Sequence, residues 1–228
     1  MSKDNKSMLI HLGMLFLAML LIYKIPHDSY SVIQYMIKPI REGGGVFYIS
    51  SVIPLTLILL GIIGLVNLKR FANKNKILIF LLVVVIIMPI MKWSLDSTRT
   101  IYYWVKQDKL NAVDIEEPSI SLSSNNEKLT ITMKFQLINY SRGTNNLKFR
   151  VFLPEALRKY TGMNIYESVN NYIISGNRNK LNVEEAIVVD LENSATQNNK
   201  PDSTWFYEDI KYELYNDVEV VEIIHHGV

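Results

Sequence analysis

Chemistry in a protein needs titratable or nucleophilic side chains held close together, and here such groups are few and scattered. The four histidines are His11, His27, His225 and His226, and there is no cysteine. Thiol nucleophiles and thiolate metal sites are therefore excluded. His225 and His226 are adjacent and could hold a metal loosely, but a frayed tail is the simpler reading. His11 lies in an apolar run, where an ionisable group is a functional candidate. It sits near the start of that run, so placement at a membrane interface explains it more simply. Carboxylates gather at Asp114, Glu116 and Glu117, and again at Asp202, Glu208 and Asp209. Calcium needs about six to eight oxygens at close spacing. Neither cluster has a recognised loop, so both read as solvated surface. No HExxH, GxSxG or phosphate-binding glycine loop occurs. Gly43-Gly44-Gly45, the one glycine run, precedes an apolar segment and reads as a flexible joint. The sequence therefore assigns no catalytic residue, no cofactor-binding residue and no metal ligand. It predicts a non-enzymatic protein, with a diffuse carboxylate site as the enzymatic alternative.

The elements that must carry these residues fall into two halves of opposite charge. Residues 1–93 hold ten basic and three acidic side chains, a net +7. Residues 94–228 hold fourteen basic and nineteen acidic ones, a net −5, in accord with +2 for all 228 residues. The basic half is also the apolar half. A membrane-embedded part followed by an acidic water-soluble part satisfies both facts. Nucleic acid is not an expected partner, because the basic charge flanks hydrophobic segments and forms no polar domain.

Three apolar segments begin at Met8, Val46 and Ile77. A helix rises about 1.5 Å per residue, and the hydrocarbon layer is about 30 Å thick. With flanking residues the segments give transmembrane helices over about 8–26, 46–68 and 76–95. The eleven-residue apolar run within Ile77–Met91 would also suit a buried strand. Its bracketing lysines and two companion segments favour the membrane. Lys3 and Lys6 before the first segment also describe a signal peptide, but Lys24-Ile25-Pro26-His27-Asp28 offers no small-residue cleavage site. An uncleaved signal anchor is expected. Pro54 and Pro89 interrupt the helices, which can mark transport sites, yet few polar groups accompany them. Gly61 and Gly64 more plainly make a close-packing face for another helix.

The positive-inside rule sets the orientation. Lys69, Arg70, Lys74 and Lys76 crowd the second link, placing it and the N-terminus in the cytoplasm. Six basic residues then lie inside against four outside. Between the first two segments, Ser29–Ile40 has helical spacing and predicts a short amphipathic helix, on the outer bilayer surface or packed as a loop helix.

After Trp93 the pattern changes. Residues 96–116 form a helical or extended neck, with a break at Asp114–Pro118. From 117 to 228 the period is two. Leu129, Ile131, Met133, Phe135 and Leu137 alternate with polar residues, after a Ser124-Asn125-Asn126 turn. Leu147, Phe149, Val151 and Leu153 alternate likewise and are expected core. Glu155–Thr161 suits one or two helical turns. Met163–Ile174 is open between helix and strand, Leu181–Leu191 is strand, and Asn193–Asp202 is a polar loop. Trp205–Leu214 and Val218–Ile224 make a hairpin. The expected fold is a mostly antiparallel β-sandwich of immunoglobulin-like type, a multi-pass membrane protein's extracytoplasmic domain. The Asn-, Lys- and Ile-rich wording fits an AT-rich bacterial genome. The expected partners are the lipid bilayer and a protein or envelope component bound by the β domain. The alternative is an accessory subunit of a membrane transport or secretion complex, with the helices as the binding part.

Overall fold

The computed structural model describes residues 3–42, 45–107, 109–124, 128–190 and 208–227. The chain divides into two compact units, one of Met1–Ile25 with Tyr30–Arg99, the other of Pro26–Ser29 with Thr100–Val228. Three helices are long and apolar enough to cross a membrane, over Lys3–Ile22, Ile49–Val66 and Lys76–Lys106.

In the first unit, α1 (Lys3–Ile22) starts before the apolar run and stops four residues short of the expected end. The reason is local. Pro26 disfavours helix before it, and Tyr23–Ser31 turns back on itself through a bridge between Lys24 and Ser31. The expected helix over Ser29–Ile40 shrinks to α2 (Val32–Met36). Ser31 caps it and Gln34 returns to the Ser31 backbone N–H at 2.7 Å. Only Ile40 of its remainder enters regular structure, as the start of a small antiparallel hairpin, β1 (Ile40–Glu42) with β2 (Gly45–Phe47). Gly45 is thus part of a strand, and Gly43 and Gly44 lie outside the described residues. The second span accordingly begins at Ile49 and not Val46, as a 3-10 turn running into α3 (Val52–Val66). Pro54 falls in the first turn of α3, where its missing N–H has no helical partner to lose. It interrupts nothing.

The third span is one 31-residue helix. It comprises α4 (Lys76–Leu82), a π-helical turn (Val83–Ile87) and α5 (Met88–Lys106). The widened turn just before Pro89 absorbs the ring that would collide with the preceding turn. Asn75 starts the helix, its side-chain oxygen accepting from the Ile77 N–H at 2.9 Å. The helix runs eleven residues past the expected 95, so most of the expected neck is helix.

α1 and α3 pack through glycine. A Cβ added to Gly61 would lie 2.7 Å from the Leu15 side chain, and one added to Gly64 would lie 2.1 Å from the His11 imidazole. The close-packing face expected at these glycines exists, and α1 occupies it. Leu15, Ile62, Leu65, Leu68 and Val83 form the unit's buried core. Most of the remaining helix surface is apolar and exposed, as at Leu59, Leu78 and Val85. That is what lipid-facing helices require.

The second unit is a mostly antiparallel sheet domain. One sheet is β3 (Val113–Ser124), β4 (Lys128–Asn139) and β8 (Asn179–Asp190), in that order. The other runs β10 (Val220–His225), β9 (Ile210–Tyr215), β5 (Asn145–Phe152) and β6 (Ile165–Glu167), with β7 (Tyr172–Ile174) also paired to β5. The alternation read in β4 holds: Leu129, Ile131, Met133, Phe135 and Leu137 are all buried. They meet Leu147, Phe149, Val151, Tyr212 and Leu214 of the other sheet in one core. The Phe135 and Phe149 rings cross edge-to-face at 4.9 Å, a favoured aromatic geometry.

Two expectations change here and one open segment resolves. The break at Asp114–Pro118 is continuous strand: β3 begins at Val113 and carries a register shift between Glu116 and Ser119. Glu117 takes φ 52° at that bulge, and β3 is an edge strand, where proline is tolerated. Met163–Ile174 resolves into the two short strands β6 and β7, after α6 (Glu155–Thr161). His225 and His226 are not a frayed tail: His225 ends β10 and His226 is held by Asp28, Ser29 and Asp209. Asp28 bridges Ile224 in parallel, so the segment from Pro26 to Ser29 docks beside β10. The hairpin around Asn216 forms as expected, from β9 to β10. The Asn125–Asn126 part of the expected turn, the Asn193–Asp202 loop and Trp205 lie outside the described residues.

Candidate binding groove

The candidate residues from the sequence take structural positions. His11 packs on Gly64, with its Nε2 3.4 Å from Ser7 Oγ. His27 takes φ 63°, and its Nε2 lies 3.1 Å from the Val113 carbonyl oxygen. Asp114 is buried and accepts from the backbone N–H of His27 and of Ile115, at 3.2 and 3.0 Å. It is a clamp on the docked segment and not solvated surface. Glu116 pairs with Lys180 at 3.4 Å. Glu208 accepts from the Glu155 N–H at 2.8 Å, at the start of α6. Asp202 lies outside the described residues.

His226 is held on both sides. Its Nε2 is 3.3 Å from Asp28 and its Nδ1 2.9 Å from Asp209. Its backbone N–H donates to Ser29 Oγ at 2.9 Å. These contacts fasten the segment Pro26–Ser29 to the end of β10. Among the described residues no group of three or more His, Asp or Glu is arranged to hold a metal ion.

One further carboxylate escaped the sequence reading. Glu185 on β8 is only 8% exposed. It accepts from the hydroxyls of Tyr166, at 2.5 Å, and Tyr172, and from Asn170 Nδ2 at 3.4 Å. A buried charge is stable only when its lone pairs are satisfied. Glu185 thereby ties β8, in one sheet, to the β6–β7 segment of the other. The signal was available: Glu185 shares the inward parity of Val183 and Ile187. Burial raises the Tyr172 phenol to about 12, with the Glu185 hydrogen bond adding to it, and raises Tyr166 further. A phenol whose folded value lies above its unfolded value of about 10 stabilises the fold fully below pH 10. That contribution is lost as pH rises through the folded value. The thermal midpoint of the β unit is therefore expected to fall between pH 10 and 12, following phenolate absorbance. A midpoint constant across that window would contradict the tie.

A site with room for a ligand lies elsewhere in the same unit. A groove of about 580 Å³ opens where β5 begins, within the 300–1,000 Å³ typical of small-ligand sites. Four separated segments line it: Lys109, Thr144–Lys148, Glu167 with Asn171, and Tyr215–Val218. Its walls are fixed by hydrogen bonds. Asn145 Nδ2 donates to the Lys109 carbonyl at 3.1 Å. Asn216 Oδ1 accepts from the N–H groups of Val218 and Glu219, at 2.9 and 2.8 Å, which pins the β9–β10 turn. Ser168 Oγ accepts from the Phe149 N–H at 3.0 Å and orients the chain between Glu167 and Asn171.

Tyr215 is preset at the groove edge. Its hydroxyl donates to Glu167, and the Arg150 guanidinium lies 4.2 Å from its ring centroid. Arg150 also pairs with Glu167 at 3.3 Å. The Tyr215 hydrogen bond and then Arg150 lower the Glu167 carboxyl below its ordinary value. Burial, then the Glu167 hydrogen bond, pushes Tyr215 up to about 12. At neutral pH Glu167 is thus the acceptor and Tyr215 the donor, an arrangement that holds the ring in place.

No family model matches the chain. No curated protein matches it either. Among solved structures it is similar to a selenomethionine-labelled β-glucosidase from Kluyveromyces marxianus, at 10% identity and a TM-score of 0.21. That likeness covers 57% of this chain and 18% of the glucosidase chain, so the chain spans less than a fifth of that protein. At such a score it carries no argument.

Proposed function

We propose that the chain is a non-enzymatic envelope protein of the bacterial cell membrane. Its three helices anchor it, with the N-terminus cytoplasmic, and its β unit faces outward to bind a protein or other envelope component. The observation that carries this reading is the pairing of three apolar, membrane-length helices with a separate β unit that has its own core and a preset polar groove. The finer fold is proposed as an immunoglobulin-like sandwich. Support comes from the strand orders β3-β4-β8 and β10-β9-β5-β6, which parallel the A-B-E and G-F-C edges of that family of folds.

The second reading is an accessory subunit of a transport or secretion complex. It is favoured by the lipid-sized apolar faces of the helices, such as that at Leu59. Photo-crosslinking in the full-length protein separates the two. A photoreactive residue at Val169, which is 82% exposed on the β unit, should capture an envelope component in the first case. Capture of a membrane protein from position 59 alone would favour the second. Full-length protein is needed, because a fragment starting at 117 would cut β3 and lose the segment docked from Pro26 to Ser29.

A further inference from the structure

We propose that the groove beside Tyr215 is a binding site for a neutral oligosaccharide. The inference rests on the reading of the β unit as the binding part of the protein and names what it binds. Two cations, Lys109 and Lys148, and two anions, Glu167 and Asp217, line it, and Arg150 beside them is taken up by Glu167 and Glu213, so the groove carries no strong net charge. A strongly anionic or cationic ligand would find no complementary field. Apolar side chains are few, because Leu147 is buried and only Val218 and the Tyr215 ring offer apolar surface. A lipid or drug-like apolar molecule would therefore gain little by burial.

The lining offers hydrogen bonds instead. Asn146 and Asn171 are exposed, so their carboxamides are within reach of a ligand. The Asn216 oxygen is used by the turn, which leaves its amide N–H groups to a ligand. A carboxamide offers a donor and an acceptor side by side, which suits neighbouring sugar hydroxyls or an acetamido group. The fixed Tyr215 ring adds an aromatic edge whose ordering cost is met before binding.

An extended peptide is the competing ligand. Peptides commonly add a strand to a free sheet edge. Here β5 is paired to β7 at Asn145–Leu147 on one side and to β9 only from Lys148 to Phe152 on the other, so the open edge along the groove is just Asn145–Leu147, three residues long and at the short limit of a strand, with the Tyr215–Val218 turn lining the same groove. The geometry favours the saccharide.

Calorimetric titration of the full-length protein in detergent micelles tests this. The probes are triacetylchitotriose, maltotriose and an uncharged heptapeptide of Gly, Ser and Asn. At least one sugar is expected to bind. The Asn146→Ala/Asn171→Ala variant should weaken it by roughly tenfold or more, through loss of two hydrogen-bonding groups. Ser121→Ala, at an exposed position of β3 away from the groove lining, should leave binding unchanged. Which sugar binds tells whether acetamido or hydroxyl recognition dominates. Binding of neither sugar, sugar binding that ignores both asparagines, or preference for the peptide would overturn the proposal. Those failures leave the anchor-and-display reading intact. That reading falls instead if Val218→Cys, in the groove, is inaccessible to an impermeant thiol reagent in intact cells.

Discussion

The Gly61→Leu/Gly64→Leu variant should lose the packing of α1 on α3. The space for these side chains does not exist. A Cβ at Gly61 meets Leu15 at 2.7 Å and the His11 carbonyl oxygen at 3.2 Å, and Leu15 is fully buried. The His11 ring could swing away from position 64, but the His11 backbone and Leu15 cannot leave position 61 without moving the helix. In a bilayer the hydrophobic effect does not hold helices together, so close approach through small residues is a main source of affinity. Overpacking costs about 1–3 kcal/mol per site. The double variant is expected to be destabilised by roughly 2–5 kcal/mol, measured by titrating micelles with a denaturing detergent. Gly13, on α1, has no atom within 4 Å of its Cβ position. Gly13→Leu should change stability by less than about 0.5 kcal/mol. Equal effects at the two sites would refute the packing.

Glu185→Leu should be the most damaging single substitution on β8. It removes an acceptor from two partly buried tyrosine hydroxyls and leaves both unpaired. Each unsatisfied group costs about 1–3 kcal/mol, so a loss of roughly 2–4 kcal/mol is expected in the unfolding of the β unit, followed by its strand signal in circular dichroism. The decisive comparison is the triple variant Glu185→Leu/Tyr166→Phe/Tyr172→Phe. Replacing a whole buried polar cluster by apolar groups is often near neutral, whereas removing one member is not. The triple variant should recover most of the lost stability, a coupling only a double-mutant cycle can isolate. A triple variant no more stable than Glu185→Leu would show that Glu185 acts through something other than the two phenols. Glu184, on the outward parity and paired with Lys134 at 2.9 Å, serves as the exposed control.

Both predictions concern residues whose roles were unequally visible in the sequence. The glycine pair was legible because a small-residue spacing within an apolar run has one common physical use. The β4 alternation was legible because one face of that strand is core from Leu129 to Leu137. Glu185 could have been found by extending the same parity along β8. The bulge at Glu117-Pro118 was not legible as strand, since proline and a run of acids ordinarily end one. The docking of Pro26–Ser29 beside β10 joins residues nearly 200 positions apart, with Ser29 and His226 separated by 197. Local periodicity cannot report such a pairing. The groove was hidden for a related reason. Asn146 reads as the end of a polar loop, Asn171 falls in a segment open between helix and strand, and Asn216 reads as a hairpin turn, and only the fold of β5, β7 and β9 brings them to one surface.

Helix lengths were misjudged where backbone geometry overrode composition. Val46 and Phe47 are apolar enough for a membrane helix but pair with Ile40 and Arg41 as a hairpin. Past Trp93 the third helix continues to Lys106 because no proline or glycine interrupts residues 90–106.

The central claim is that the β unit stands outside the membrane and the link between α3 and α4 stands inside. The chain has no cysteine, so single thiols report cleanly. Val169→Cys lies on an 82% exposed position of the β unit, and Asn73→Cys lies on the exposed basic link. In intact cells an impermeant maleimide is expected to label position 169 and to leave position 73 protected until the membrane is opened. Labelling at 73 with protection at 169 would reverse the topology and contradict the account.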